Sequence, residues 1–186
     1  MESKPHQTKT QRFFIALIPP DQIQAEANAI RQEFADRFNS RKAFNAPPHI
    51  TLQPPFQWPV AMADRLTATV ADFSSQRAAF AVQLQGFGAF SQGVVYINVS
   101  PSDTLMQLQA DLSQVLIDQL EIRDRNPYRS YCPHMTVAFR DFTRSAFEQA
   151  WPEFEQRPYD ATFTAQHLTL LIHRQRWEIY RSFALQ

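Results

Sequence analysis

The chain has 186 residues, 44% of them hydrophobic and sixteen of them phenylalanine, so it holds enough apolar material to fill a core and is not a disordered protein. Its 18 basic and 18 acidic residues cancel, which argues against a broad basic surface for long duplex nucleic acid. No apolar run reaches the roughly 20 residues that cross a bilayer, and the polar start does not resemble a signal peptide. With its single cysteine, Cys132, the composition predicts a cytoplasmic protein without a membrane partner.

The first half of the chain alternates strand and helix signals. We predict a disordered tail at residues 1–11, followed by structure from Arg12, where the apolar run of residues 13–18 is typical of a central strand. The remaining elements are expected as a helix at 21–38 capped by Asp21, a strand at 49–52 that extends at most to 56, a helix at 60–73 and a strand at 80–84. Pro54 and Pro55 should cut the ladder hydrogen bonds of the first of these strands, and Gly86–Gly88 should end the second.

The second half repeats the order of the first. Its elements are expected as a strand at 94–99, a helix from Ser102 or Asp103 to Leu120, a strand at 134–139, a helix at 143–154, and strands at about 161–172 and 176–183. The chain therefore contains two β-α-β-α-β units, at about 12–90 and 94–184, with one added terminal strand. We predict one bilobal α+β domain over residues 12–186, in which the two units face each other across a central cleft.

A short motif occurs once in each half. Residues 48–52 read Pro-His-Ile-Thr-Leu, and residues 133–137 read Pro-His-Met-Thr-Val. Successive side chains of a strand point to opposite faces, so the histidine and threonine of each copy share one face while the apolar residues point into the core. A single His-x-Thr sequence is more typical of a structural hydrogen-bonded pair, but duplication at matching places in both halves favours a functional site.

The paired residues suit phosphodiester chemistry. His49 and His134 can act as a general acid and a general base near neutral pH, and the hydroxyls of Thr51 and Thr136 can donate to anionic phosphate oxygens. The alternative is a metal centre, but hydrolytic metal sites usually have three protein ligands, and neither motif carries an acidic residue or a third histidine at ligand spacing. No metal or other cofactor is therefore expected, and Cys132 is interpreted as a small buried side chain.

The two motifs resemble the paired His-x-Thr-x signatures of the 2H phosphoesterase superfamily, in particular its 2′-5′ RNA ligase-like branch of cyclic phosphodiesterases. The resemblance extends from Arg12 to about residue 184 and includes the opening strand and the segment Gly86–Phe90 before the strand at 94. It implies a bilobal α+β fold with antiparallel sheets and a metal-independent site that opens 2′,3′-cyclic phosphate ends of RNA or nucleotides to 2′-phosphates.

The resemblance also implies roles for individual residues. It makes His49 the proton donor to the 3′ leaving oxygen, His134 the base for water, and Thr51 and Thr136 the phosphate binders, although the near symmetry of the site leaves an exchange of the two histidine roles open. Many members carry an arginine where this chain has Phe139. Arg140 follows directly, and as the next residue of a strand it should face the opposite side.

Additional contacts to a nucleotide are expected from aromatic and arginine side chains. Stacking on a base or contact to phosphate is predicted for Phe56, Phe90, Tyr131, Phe139 and Arg140, with ordinary core packing as the alternative for each ring. The loop before the second motif contains Arg123, Arg125 and Arg129 and is either an RNA-contacting loop or a solvated turn.

These observations predict a monomeric, metal-independent cyclic phosphodiesterase whose partners are RNA ends or small cyclic-phosphate nucleotides. Two alternatives remain at this stage. The same residues can catalyse the reverse reaction, ligation to a 2′-5′ linkage, and the pocket can belong to a non-catalytic module that binds RNA ends or nucleotides.

Overall fold

The computed structural model describes residues 9–126 and 129–186. In those residues it contains four α-helices and eight strands, together with 3-10 turns at Lys42–Asn45 and Val60–Met62. The elements in chain order are β1 (Thr10–Leu17), α1 (Asp21–Phe38), β2 (Ile50–Pro59), α2 (Ala63–Ser75), β3 (Phe80–Phe90), β4 (Val94–Val99), α3 (Asp103–Leu120), β5 (His134–Phe139), α4 (Arg144–Phe154), β6 (Asp160–Ala165), β7 (His167–His173) and β8 (Trp177–Ala184).

The strands form two four-stranded antiparallel sheets, with the orders β2-β1-β7-β8 and β5-β4-β3-β6. Each sheet has one motif strand at its edge, β2 in the first and β5 in the second. The predicted α+β class with two antiparallel sheets is confirmed. Among the described helices, none combines the length and the apolar composition that crossing a membrane requires.

The two sheets exchange strands between the halves of the chain. β3 follows α2 in sequence but pairs with β4 and β6, while β7 and β8 join β1 in the first sheet. The single strand predicted at about 161–172 is therefore wrong, because β6 and β7 belong to different sheets and separate at Gln166. The sequence gives no sign of this crossover, since β6 alternates in burial and β7 is buried along its centre, and both patterns are typical of strands.

The ladder of β2 is interrupted at Pro54 and Pro55 as predicted, but the strand continues beyond them, and the predicted end of β3 at Gly86–Gly88 is wrong. β2 runs through Pro54 and Pro55 because it is an edge strand and because its register to β1 jumps from the Phe13–Phe56 pair to the Ile15–Gln53 pair, which leaves the prolines in a bulge. β3 continues through Gly86, which has a φ of 63° at an irregularity in its pairing with β4. Proline and glycine thus shape these strands without ending them.

Smaller differences concern the ends of elements. β1 begins at Thr10, two residues earlier than predicted, and residues 1–8 of the predicted tail lie outside the described residues. The side chain of Asp21 does not cap α1, since Pro20 occupies the N-cap position. Ser102 caps α3 by accepting a hydrogen bond from the Leu105 amide, and Thr143 caps α4 in the same way through the Ala146 amide.

The first helix of each half covers the motif strand of the other half. α1 packs against β5, and α3 packs against β2. Both helices present a buried apolar stripe, which includes Ile30 and Phe34 on α1 and Leu112 and Leu116 on α3. This crossed packing holds the two motif strands side by side, with Cα atoms of β2 and β5 within 8 Å of each other.

Candidate active site

The two motifs meet where β2 and β5 approach each other. His49 immediately precedes β2, and His134 is the first residue of β5. The side chains of the two histidines and of Thr51 and Thr136 are half-buried, whereas the intervening Ile50 and Met135 are fully buried. The alternation of each motif thus directs its histidine and threonine to one face of the strand.

Both imidazoles are oriented by a backbone carbonyl two residues earlier in the chain. The Nδ1 atom of His49 lies 2.7 Å from the Pro47 oxygen, and that of His134 lies 2.8 Å from the Cys132 oxygen. A carbonyl oxygen only accepts, so Nδ1 must donate in each ring. In the neutral ring Nε2 then carries the free lone pair, which is the atom that can take or return a proton.

Aromatic side chains pack against each of the two imidazole rings. The His49 ring packs on Phe14 of β1 at a centroid distance of 4.8 Å, and the His134 ring packs on Phe90 at 4.8 Å and on Tyr96 at 5.2 Å. The Tyr96 ring lies over the backbone of Gly88, where a Cβ atom would approach it to 2.5 Å. The contact between the Tyr96 ring and His134 therefore requires glycine at position 88, because any side chain there would displace the Tyr96 ring.

Burial makes both imidazoles poor proton acceptors in the free protein. The pKa of His49 is lowered to about 4, chiefly by burial; the charges of Arg31 and His134 also lower it, and the hydrogen bond to the Pro47 carbonyl opposes the shift. Burial also lowers the pKa of His134, while the Cys132 carbonyl opposes the shift and Arg129 adds to it. A bound phosphate anion would raise both pKa values, because it stabilises the protonated rings.

Arg31 of α1 is a component of the site that the sequence did not reveal. Its side chain is 2% exposed, and it donates to the Thr136 carbonyl at 3.1 and 3.3 Å, to the Ala46 carbonyl at 2.9 Å and to the Asn28 side chain at 3.3 Å. One guanidinium thus joins the second motif to the segment that enters the first. Burial lowers the pKa of Arg31 to about 10, and the group stays charged at neutral pH.

The other half uses different side chains for the corresponding contacts. The Tyr131 hydroxyl donates to the Thr51 carbonyl at 3.0 Å, and Nε2 of Gln109 donates to the Leu52 carbonyl at 3.2 Å. Burial raises the pKa of the Tyr131 hydroxyl. Tyr131, predicted as a stacking residue, therefore connects the segment before the second motif to β2, which carries the first motif.

The other predicted contacts fall into three groups. Phe56 is 7% exposed and packs on Phe13 at 6.3 Å, so its assignment as a base-stacking residue is wrong: its side chain points into the core. Phe90 and Phe139 are half-buried, and Phe90 borders His134. Arg140 is exposed just beyond β5 with a φ of 65°, and its guanidinium lies 5.2 Å from the centre of the Phe139 ring.

Cys132 is exposed, which contradicts its interpretation as a buried side chain. It lines a cavity of about 580 Å³ that opens between α3, β2 and the loop entering β5 and that touches both Thr51 and His134. We call this cavity the α3 groove. Within residues 9–126 and 129–186 there is no cluster of three His, Cys, Asp or Glu side chains that could hold a metal ion.

Comparison with known proteins extends the argument from the motifs to the whole chain. A phosphoesterase-named protein of Bacillus pumilus, "Putative phosphoesterase", is 24% identical over 178 residues that cover 94% of this chain and 97% of its own. A similarly named protein of Oceanobacillus iheyensis is 24% identical and covers 94% and 98% of the two chains.

Solved structures share the fold. TT0787 of Thermus thermophilus superposes with a TM-score of 0.73 at 16% identity, covering 94% of this chain and 97% of its own. E. coli LigT complexed with 3′-AMP superposes with a TM-score of 0.71 at 18% identity, covering 96% and 99%. The sequence model of the 2'-5' RNA ligase superfamily matches residues 19–177, which include both His-x-Thr motifs. With this match over most of its length, the chain belongs to the 2'-5' RNA ligase superfamily, a group of 2H phosphoesterases.

Proposed function

We propose that the protein is a metal-independent phosphodiesterase that hydrolyses 2′,3′-cyclic phosphate ends of RNA or nucleotides to 2′-phosphates. The observation that carries the proposal is the pairing of the two motifs: two imidazoles with Nδ1 held by a carbonyl, two threonines beside them, and two strands that approach within 8 Å. LigT of E. coli, which shares the fold, was solved with 3′-AMP and with phosphate. Both halves of the site come from one chain, so we propose that a monomer suffices.

The reaction needs one proton acceptor and one proton donor. Water attacks phosphorus while the base takes a proton from it, the bond between phosphorus and O3′ breaks, and the acid protonates the departing O3′. The product is a 2′-phosphate with a free 3′ hydroxyl, and solvent restores the proton to the acid. Thr51 and Thr136 donate to the non-bridging oxygens, whose negative charge grows in the transition state.

Fixed positive charge near the phosphate comes from Arg31. Phe139 stands where many relatives of this type have an arginine, so the chain lacks that cation at that position. Arg31 is bonded to the carbonyl of Thr136 and its charge is felt at His49, which places a buried cation behind both motifs. A phosphodiester anion in the cleft gains from this charge because the surroundings screen it weakly.

Two arguments give opposite assignments of the acid and the base. The family resemblance makes His49 the acid, whereas its strongly lowered pKa leaves it, in the free protein at neutral pH, without the proton that an acid must donate. A substrate with sulfur in place of the bridging O3′ distinguishes the two assignments, since a thiolate can leave without being protonated by the acid. Of the variants His49→Gln and His134→Gln, the one that has lost the acid should be rescued by sulfur, and the one that has lost the base should not.

The direct test of the proposal is turnover of a panel of 2′,3′-cyclic substrates, with identification of the phosphate ester formed. Each of His49→Gln and His134→Gln should lower kcat by about 100-fold or more, with unchanged circular dichroism. Full activity in the double variant would contradict the proposal.

The runner-up function is ligation, in which a 5′ hydroxyl replaces the attacking water: the base takes its proton, the bond between phosphorus and O3′ breaks, and the acid protonates O3′. The matching family is described by that activity. Ligation is tested by incubating RNA that ends in a 2′,3′-cyclic phosphate with RNA that has a 5′ hydroxyl, and looking for 2′-5′ linkages. Tight binding of these ends without either reaction would instead indicate a binding module.

A further inference from the structure

His49 belongs to the segment of residues 39–49, which connects α1 to β2 and which we call the α1–β2 segment. All of these residues are described, and apart from the 3-10 turn Lys42–Asn45 they are irregular. Such a segment is held in place by the groups that bond to it rather than by a ladder of its own. Its last part orients an imidazole, because the Pro47 carbonyl accepts the hydrogen bond from Nδ1 of His49. The orientation of His49 therefore depends on what holds this segment.

The carboxylate of Asp141 holds the first part of the α1–β2 segment. It accepts hydrogen bonds from the Ser40 hydroxyl at 3.0 Å, from the Arg41 amide at 2.8 Å and from the Lys42 amide at 3.0 Å. Ser40 is fully buried. The two amides lie at the start of the 3-10 turn, whose own N-cap residue, Arg41, provides no side-chain cap. Asp141 thus caps this turn from a position 100 residues beyond Arg41 in the chain.

The backbone before Asp141 is shaped to make this contact. β5 ends at Phe139, and the next residue, Arg140, has a φ of 65°, which residues with a side chain rarely adopt. The Asp141 amide donates to the Phe139 carbonyl at 2.8 Å, which closes a three-residue turn of a rare and strained kind. Such a turn persists only where its surroundings determine it, and the three bonds to the carboxylate are such a constraint. The turn directs Asp141 from the end of the second motif strand to the α1–β2 segment.

The Arg31 guanidinium holds the same segment closer to His49. It donates to the Ala46 carbonyl at 2.9 Å and to the Thr136 carbonyl of β5 at 3.1 Å. The α1–β2 segment is therefore attached to β5 at two places, through Asp141 near its start and through Arg31 three residues before His49. The imidazole of the first motif is in this way positioned by the strand that carries the second motif.

We propose that Asp141 is a positioning residue, which caps the α1–β2 segment from the end of β5 and so sets the orientation of the His49 imidazole relative to His134. This inference rests on the proposed function, because its catalytic consequence is a reaction that needs both imidazoles at one phosphate. A displacement of about 1 Å can cost about 100-fold in rate. Binding of the substrate depends less on the angle of one ring, so loss of the cap should lower kcat more than it changes KM.

The variant Asp141→Asn tests this with a side chain of almost the same shape. Its amide nitrogen cannot accept a hydrogen bond, so one of the two accepting atoms that serve Ser40, Arg41 and Lys42 is lost. We expect kcat for a 2′,3′-cyclic mononucleotide to fall by about tenfold or more, with KM within about threefold of the wild-type value. Asp160→Asn, which removes an exposed carboxylate of β6, should leave both constants unchanged.

NMR distinguishes positioning from a general loss of stability. In the neutral ring the bond to Pro47 keeps the proton on Nδ1, so the nitrogen chemical shifts of the two ring atoms of His49 should differ strongly at neutral pH. In Asp141→Asn these shifts should move towards each other as the second tautomer becomes populated, whereas in Asp160→Asn they should not. A stabilising role alone would lower the free energy of unfolding and leave the shifts of the folded protein unchanged.

Ser40→Ala keeps the test decisive if Asp141→Asn fails to fold. It removes one of the three bonds to the carboxylate and should move the His49 shifts in the same direction, with a fall in kcat of about threefold. His49 shifts at their wild-type values in the folded variant, or an unchanged kcat, overturn the positioning role and leave the proposed function standing. If the wild type hydrolyses no 2′,3′-cyclic substrate, the proposed function itself fails, and the His49 shifts alone decide whether Asp141 positions the ring.

Discussion

Lowering the pH from about 7 to about 4.5 should destabilise the wild-type protein more than a His49→Gln variant. Burial lowers the pKa of His49 from 6.5 to about 4 in the folded protein. The unfolded chain then binds a proton more readily than the folded one, so this part of the stability is present above about pH 6.5 and is lost as the pH falls towards about 4. Each unit of difference corresponds to about 1.4 kcal/mol, and integration between these two conditions gives about 2 kcal/mol.

The assay is urea unfolding of both proteins at the two pH values, followed by circular dichroism. Glutamine is close to histidine in size, can donate to the Pro47 carbonyl and does not titrate, so the difference between the two proteins isolates this one group. His167→Gln, at an exposed position of β7, serves as the matched control and should follow the wild type. Parallel losses of unfolding free energy in the wild type and in His49→Gln would refute the claim that His49 is held neutral by burial.

Three further outcomes follow from the site. Arg31→Met should raise the pKa of His49 measured by NMR, because the positive charge of Arg31 lowers it, and should reduce kcat/KM by about tenfold or more. Arg31→Lys keeps the positive charge, so the pKa of His49 should stay close to its wild-type value. Gly88→Ala should displace the Tyr96 ring and cost about 1–3 kcal/mol in urea unfolding, whereas Gly93→Ala, with no atom within 4 Å of the added methyl group, should not. EDTA should leave the rate of cyclic phosphate hydrolysis unchanged, which steady-state assays with and without chelator would show.

The sequence predicts the limits of those helices and strands that are determined by residues close to one another in the chain. The limits of β4 and β5 were predicted to the residue, and α3 began at one of the two expected capping positions, because alternation, leucine spacing and capping act over a few residues. The co-facial arrangement of His49 with Thr51 follows from the period of a strand in the same way.

Features that depend on distant partners were not predictable. Pro54 and Pro55 interrupt the ladder because proline has no N–H to donate, but the continuation of β2 to Pro59 depends on its edge position, which is decided by which strands pair elsewhere. Phe56, by contrast, lies an even number of residues from Ile50 and Leu52 and shares their core face by alternation alone. Arg31 escaped notice because a lone arginine between apolar helix positions is usually a surface cation, and only the facing carbonyls of Ala46 and Thr136 explain its burial.

The different surroundings of the two motifs explain how a duplicated sequence can supply two different catalytic groups. Identical motifs in identical surroundings would give two imidazoles with equal pKa values, and neither would be favoured as donor or acceptor. Here burial lowers the pKa of His49 to about 4, with a contribution from the charge of Arg31, whereas the pKa of His134, which borders the open α3 groove, is lowered by burial and by the charge of Arg129. The substitution Ser113→Arg, in the lining of that groove, adds a further cation to the groove and should lower the pKa of His134 further, which NMR titration would detect.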